Sequence, residues 1–261
     1  MAGIHVEKVS ESKKENRLTL RVKGANEAFV NTLRRLIIEE VPTLAVEDVE
    51  IKDNNSALYD EMFALRLGLC PIKTDLANYS LPKTHEEIQE RSARCTLQIK
   101  LKASKKGYVF AEEAESADPK CTFVYPKMPL VKLLAKQKVD VTMIAVMGQG
   151  KDHTKWSPGW SFFRREAVLS IGKVKDAAHI AKQSTDGVLT LKSGKLEVDE
   201  DKATDSNLLE FYTELDPAIT LTYTDNIIIS VESWGQLSCK QMLVKSSEIL
   251  TQKVEELEGL I

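Results

Sequence analysis

The chain is 261 residues long, 43% hydrophobic and 29% charged, with a formal net charge of −3; it has material for one large globular domain or two ordinary ones. The slight acidity argues against a dedicated DNA reader, whose affinity comes from Lys and Arg releasing counterions, while leaving room for a local basic patch. No apolar run approaches the roughly 20 residues that span a bilayer, and MAGIHVEKVSESKK lacks the apolar core of a secretory signal, so a cytoplasmic protein is expected.

Ile4, Val6 and Val9, the polar SESKKEN and the alternating Leu18, Leu20 and Val22 predict an N-terminal hairpin that ends at Gly24. Asn26 is a helix N-cap, with Glu27 in the first turn. The next helix carries Phe29, Val30, Leu33, Leu36, Ile37 and Val41 at steps of three and four. Pro42 stops it, because the residue before a proline is pushed out of the α region. With Ile38 the stripe is too wide for a helix that lies only on its own core, so apolar partners are expected on two sides. The helix therefore reads as an assembly surface.

Leu44 to Ile51 reads as a strand, Asp53 to Ser56 as a turn, and Leu58 to Leu67 as a short helix with Gly68 as its C-cap. Thr74 to Arg94 is a polar excursion. Cys95, Leu97, Ile99 and Leu101 alternate as a strand, with Tyr108 to Ala111 expected to return across Lys105–Gly107. Phe123 to Tyr125 reads as a short strand, Leu130 to Leu134 as a brief helical turn, and Val139 to Ala145 as another strand.

Residues 166–209 change character: a helix near Lys175 to Lys182, then strands around Leu189 and Leu196 joined by Ser193-Gly194. They read as an insertion. Ile219 to Tyr223 and Ile227 to Val231 are expected to form a hairpin about Asp225-Asn226. A last helix, Leu237 to Leu257, has a near-heptad seam at Leu243, Ser246, Leu250, Lys253 and Leu257. Striped helices near both ends, with mixed β structure between them, predict an α+β fold in which the two ends make one domain and the middle is inserted.

The cysteines at 70, 95, 121 and 239 have no C-x2-C spacing and are expected to be reduced, mostly buried thiols without metal. Gly148-Gln149-Gly150-Lys151 imitates a phosphate loop, but Ala145 replaces the first glycine and Asp152 the Ser or Thr after the lysine. Neither a G-x-S-x-G elbow nor an H-x3-H pair is present, so no catalytic residue is assigned.

NTLRRLIIEEVPTLAVEDVEI (31–51), NNSALYDEMFALRLGLCPIKTD (54–75), MPLVKLLAKQKVDVTMIAVMGQGKDHTKWSP (128–158) and ISVESWGQL (229–237) resemble the D subunit of archaeal DNA-directed RNA polymerase. That family is similar to the eukaryotic third-largest subunit and, more distantly, to the bacterial alpha N-terminal domain. The resemblance implies a non-catalytic assembly subunit of the polymerase. It implies a discontinuous dimerisation domain (1–48 and 210–261), an inserted mixed β domain (49–165) and a ferredoxin-like insertion (166–209). The implied partners are the small L subunit as heterodimer mate, the small subunits N and P, and the second-largest catalytic subunit, with DNA and RNA met only through the complex and no membrane involved. The implied interface residues are Phe29, Leu33, Arg34, Arg35, Leu36, Ile37 and Val41 on the first helix, His153, Lys155 and Trp156 in the G-x-G-K-x-H-x-K-W block, Trp234, and Leu243, Leu250 and Leu257 on the last helix. Arg35 also stands four residues before Glu39 and is expected to pair with it.

Two departures from the family bear on cofactors. The eukaryotic relatives carry a cysteine-rich zinc loop, and Thr74 to Arg94 has no cysteine. Many archaeal members hold iron–sulfur clusters in the insertion, and here Ser184, Ala203 and Ser206 stand where thiolates would be. Zinc and iron–sulfur cluster are both expected to be absent. An iron–sulfur redox module and a stand-alone nucleotide-binding enzyme are the disfavoured alternatives. Leu65 replaces a histidine common in relatives.

Overall fold

A computed structural model describes residues 3–261, apart from the side chains of residues 201 and 205. Met1 and Ala2, at the start of the expected 1–48 segment, lie outside the described residues. The chain begins β1 (His5–Ser12), β2 (Arg17–Lys23), α1 (Glu27–Glu39), β3 (Thr43–Asn54), α2 (Asp60–Gly68) and α3 (His85–Gln89). It continues β4 (Thr96–Ala103), β5 (Gly107–Phe110), β6 (Glu115–Ser116), β7 (Pro129–Leu133), β8 (Val139–Gly148) and β9 (Gly159–Ile171). It ends α4 (Ala177–Gln183), β10 (Leu189–Lys192), β11 (Lys195–Val198), α5 (Glu200–Asp205), α6 (Leu209–Leu215), β12 (Ile219–Ser233) and α7 (Cys239–Glu258). The fold is mixed α+β with several antiparallel sheets. It divides into two compact units, residues 1–34 with 161–232 and residues 35–160 with 233–261.

The first unit holds a four-stranded sheet of order β1-β2-β12-β9. The expected hairpin about Asp225-Asn226 does not form: β12 runs unbroken from Ile219 to Ser233, with Ile227, Ile229 and Val231 opposite Val22, Leu20 and Leu18. Asn226, and Thr224 just before the pair, are engaged across the sheet instead. Asn226 Nδ2 donates to Glu166 at 2.7 Å and Thr224 Oγ1 at 3.2 Å, and Arg21 Nε reaches the same carboxylate at 2.6 Å. Burial pushes the Glu166 carboxyl up in pKa, but these donors outweigh it and hold the group below the ordinary range. The 166–215 region has a core of its own, built on Leu169, Ile180, Leu189, Leu196, Leu209 and Tyr212. Its β10–β11 hairpin turns through Ser193 and Gly194, both at positive φ (49° and 78°), as a two-residue turn requires.

The second unit centres on β8 in a sheet of order β3-β8-β4-β6. β8 is buried along almost its whole length, so it reads as a continuous apolar run rather than an alternation. Phe63 and Leu67 of α2 belong to the same core as Ile99 of β4, Leu130 of β7, and Met143 and Met147 of β8. Four local expectations are corrected. Leu130 to Leu134 is no helical turn: Leu130 to Leu133 make most of β7, which opens on Pro129, where a strand tolerates proline. β5 does not return beside β4; it pairs with β7, Val109 opposite Val131, after Gly107 turns the chain at φ 141°. Gly68 lies inside α2, and the cap is Leu69, followed closely by Pro71. Phe123 forms a single bridge to Ile72 instead of a strand.

Candidate assembly interface

The surface begins with α1. Asn26 Oδ1 accepts the Phe29 amide at 2.9 Å, the N-cap that its position predicts. Val30, Leu36, Ile37 and Val41 are buried within the chain, while Phe29 and Leu33 are half-buried. Arg34 Nε donates to Asn31 at 3.0 Å. Arg35 forks onto Glu39 at 3.2 and 3.1 Å, the expected pair one helical turn apart.

The G-x-G-K block turns out to finish this helix. The last carbonyls of an α-helix lack intrahelical partners, and Pro42 offers no amide. Lys151 N donates to Glu39 O at 2.9 Å, and Gln149 Nε2 to Glu40 O at 2.8 Å. Gly150 is pressed so near Ile38 O that a β-carbon would lie 2.0 Å from it. Trp156 closes the clamp: its indole lies on Gly148, its Nε1 donates to Val146 O at 3.0 Å, and its carbonyl accepts from Thr43 Oγ1 at 2.7 Å. Lys155 Nζ bonds Val46 O at 3.0 Å, pairs with Glu47 and sits 4.5 Å over the Trp156 ring. Lys155 and Trp156 thus have intrachain work; His153, though exposed, accepts the Lys155 amide on Nδ1 at 3.0 Å and stands edge-on to Trp156.

α7 starts with a capping box, Ser238 and Gln241 satisfying each other's amides. Its first half is anchored by Met242 and Ser246, both wholly buried. Leu243 and Leu250 are half-buried, and from residue 251 onward every position is exposed, Val254 and Leu257 included. Lys253 pairs with Glu40, just past the end of α1. Trp234 is exposed, with its amide on Pro158 O.

One apolar surface escaped the sequence reading. α2 buries Phe63 and Leu67, yet Tyr59, Met62, Leu65 and Leu69 are all exposed on its outer side. Their spacing of three, three and four is a second helical stripe, hidden because the first stripe accounts for the helix.

In the 166–215 region, Ser184 Oγ and Ser206 Oγ both donate to the Asp186 carboxylate, as does the Tyr212 hydroxyl. Ser184 Oγ also accepts the Leu189 amide at 2.9 Å, and Val188 N donates to Asp186 at 3.1 Å. Ala203 is buried in that region's core. Two hydroxyls and a methyl group supply no thiolate, the ligand an iron–sulfur cluster requires. Cys70, Cys95 and Cys121 are buried elsewhere and Cys239 is partly exposed. Among the described residues no helix is long and apolar enough to cross a membrane.

Residues 49–159, centred on β3, β8 and β4, match the family model described as the RNA polymerase Rpb3/RpoA insert domain. The chain is of the class of RNA polymerase subunits that carry this domain. It is 30% identical over 240 residues, 90% of each chain, to the DNA-directed RNA polymerase subunit Rpo3 of Methanosarcina acetivorans. Identity to the subunit of the same name from Pyrococcus furiosus is 37% over 173 residues, 66% of this chain and 63% of that one. To that of Methanosphaera stadtmanae it is 29% over 261 residues, 95% and 96% of the two chains. The chain belongs to the Rpo3 family of DNA-directed RNA polymerase subunits.

Proposed function

We propose that this chain is a cytoplasmic, non-catalytic assembly subunit that pairs with the small L subunit and presents a platform for N, P and the second-largest catalytic subunit. The observation that carries this is the far half of α7, where Leu250, Val254 and Leu257 extend an apolar seam that the chain itself leaves open. A permanent subunit interface resembles a domain core cut in half, which such a seam supplies. Phe29 and Leu33 add half-covered apolar surface on α1.

On this reading 1–48 and 210–261 form the dimerisation domain, 49–165 the inserted domain, and 166–209 a ferredoxin-like insertion held by the Asp186 network without a cluster. Zinc is absent as well. Arg34, Arg35, Trp234, His153 and the outer stripe of α2 face other polymerase subunits, and Lys155 and Trp156 act by fixing the end of α1. Co-expression with the small L subunit tests the proposal. A 1:1 complex that resists dilution is expected, and a monodisperse chain indifferent to that partner would overturn it. Iron and sulfide analysis of anaerobically purified protein tests the cluster-free insertion, which stoichiometric iron would refute.

A further inference from the structure

The chain as a whole is acidic, but its charge is not evenly spread. Residues 99–110 and 126–138 hold eight lysines and no Asp or Glu, in a protein of net charge −3. The fold brings these stretches together. β4 runs beside β8 with Ala103 opposite Val139, and β5 beside β7 with Gly107 opposite Leu133. The turns between these pairings, 104–106 and 134–138, therefore share one end of the β5–β7 ribbon.

Lys102 is paired with Asp140 and Lys138 with Asp53. Lys105, Lys106, Lys132 and Lys136 are exposed, and among the described residues no carboxylate pairs with them. Beside them lie two rings. Val109 points into the core, so Tyr108 and Phe110 point outward, their centroids 6.2 Å apart. Tyr108 is 57% exposed, and its cross-strand neighbour Lys132 holds Nζ 5.1 Å over the ring. Glu112 and Glu113 lie beyond Phe110, away from the lysine turns, and Glu113 is bonded to the Phe110 amide at 2.7 Å.

We propose that the outer face of the β5–β7 ribbon is a binding surface for single-stranded nucleic acid. Ammonium groups at 105, 106, 132 and 136 meet phosphates, and Tyr108 and Phe110 offer rings on which unpaired bases stack. Both halves are needed. An acidic peptide would use the lysines and leave the rings idle, and a duplex keeps its bases out of their reach. This site is separate from the helices assigned to subunit pairing.

The test titrates the full-length chain, at low and rising salt, with labelled oligo(U) and oligo(dT) of about 12 nucleotides. The duplex of the latter and polyglutamate are run beside them. Both single strands are expected to bind more tightly than either competitor, and the ratio of the two distinguishes RNA from DNA. Tyr108→Ala is expected to weaken binding by about tenfold. Lys105→Ser with Lys106→Ser should also weaken it and flatten the slope of log affinity against log salt by about 1.4. All three positions face solvent, so thermal stability reports that the variants remain folded. Absence of binding at low salt, binding of duplex or polyglutamate as tight as that of oligo(U), or variants that bind as the native chain does would each overturn the proposal.

Discussion

Trp156 lies flat against Gly148, so close that a β-carbon at 148 would stand 2.4 Å from the indole carbons. The contact holds the clamp that finishes α1, so glycine there is a packing requirement. Gly148→Ala forces either the ring or β8 to move. An overpacked site of this kind costs about 1–3 kcal/mol. Urea denaturation of the variant should show a lower midpoint with an unchanged slope. Gly150→Ala, which meets the backbone oxygen of Ile38 instead of a side chain, should cost at least as much.

The Asp186 network makes the 166–215 region acid-sensitive. Burial raises the Asp186 carboxyl, but hydrogen bonds from Ser206, Tyr212, Val188 N and Ser184 more than offset this, and its pKa is lowered. A carboxyl lowered by folding contributes stability above its unfolded pKa, about 3.9, and loses it as pH falls through the folded value. Asp186→Asn removes the charge while keeping the shape. It should destabilise this region by about 1–3 kcal/mol at neutral pH and flatten the acid limb of its stability curve. Limited proteolysis across pH, read at the 184–208 segment, follows this region alone.

How much is legible in the sequence varies with what each residue answers to. The N-cap at Asn26, the Arg35–Glu39 pair and the Ser193-Gly194 turn depend on neighbours within a few residues, and the structure has all three. A break at Asp225-Asn226 is expected because both are turn formers, but Glu166, some 60 positions away in the chain, recruits Asn226 and Thr224 into an extended strand. Likewise Leu130 to Leu133 looks helical in isolation and becomes strand because β5 lies beside it. Spacing is enough to discount the phosphate-loop imitation at 148–151, yet its use as a helix clamp depends on Ile38, Glu39 and Glu40, which spacing does not reveal.

Thiol reactivity should separate one cysteine from three. Burial pushes the Cys70 and Cys121 thiols up to about 11 and also raises Cys95. Almost no thiolate forms at those positions at neutral pH, and reagent has little access. Cys239, at the first turn of α7, is partly exposed. Native protein should therefore give one fast-reacting thiol and denatured protein four, the full cysteine count. Rapid modification of Cys70 in the native chain would contradict its burial.

The proposed subunit seam is best tested where the chain does not cover it. Ile37 is completely buried by the chain's own atoms, so a charge there would break the fold and report nothing about a partner. Val254 and Leu257 are exposed on α7, at 47% and 58%, and a charge at either leaves the isolated chain intact. If a partner covers them, each contributes about 1.5–3 kcal/mol of apolar burial. Val254→Glu with Leu257→Glu should then weaken the complex with the small L subunit by about 3 kcal/mol or more, over a hundredfold. Leu33→Glu, on the half-buried side of α1, should weaken it too, with some loss of the chain's own stability. Co-purification at matched expression, with thermal unfolding of each free variant beside it, separates the two effects. A double α7 variant that unfolds normally and still brings down its partner in equal amounts would place the seam on another face.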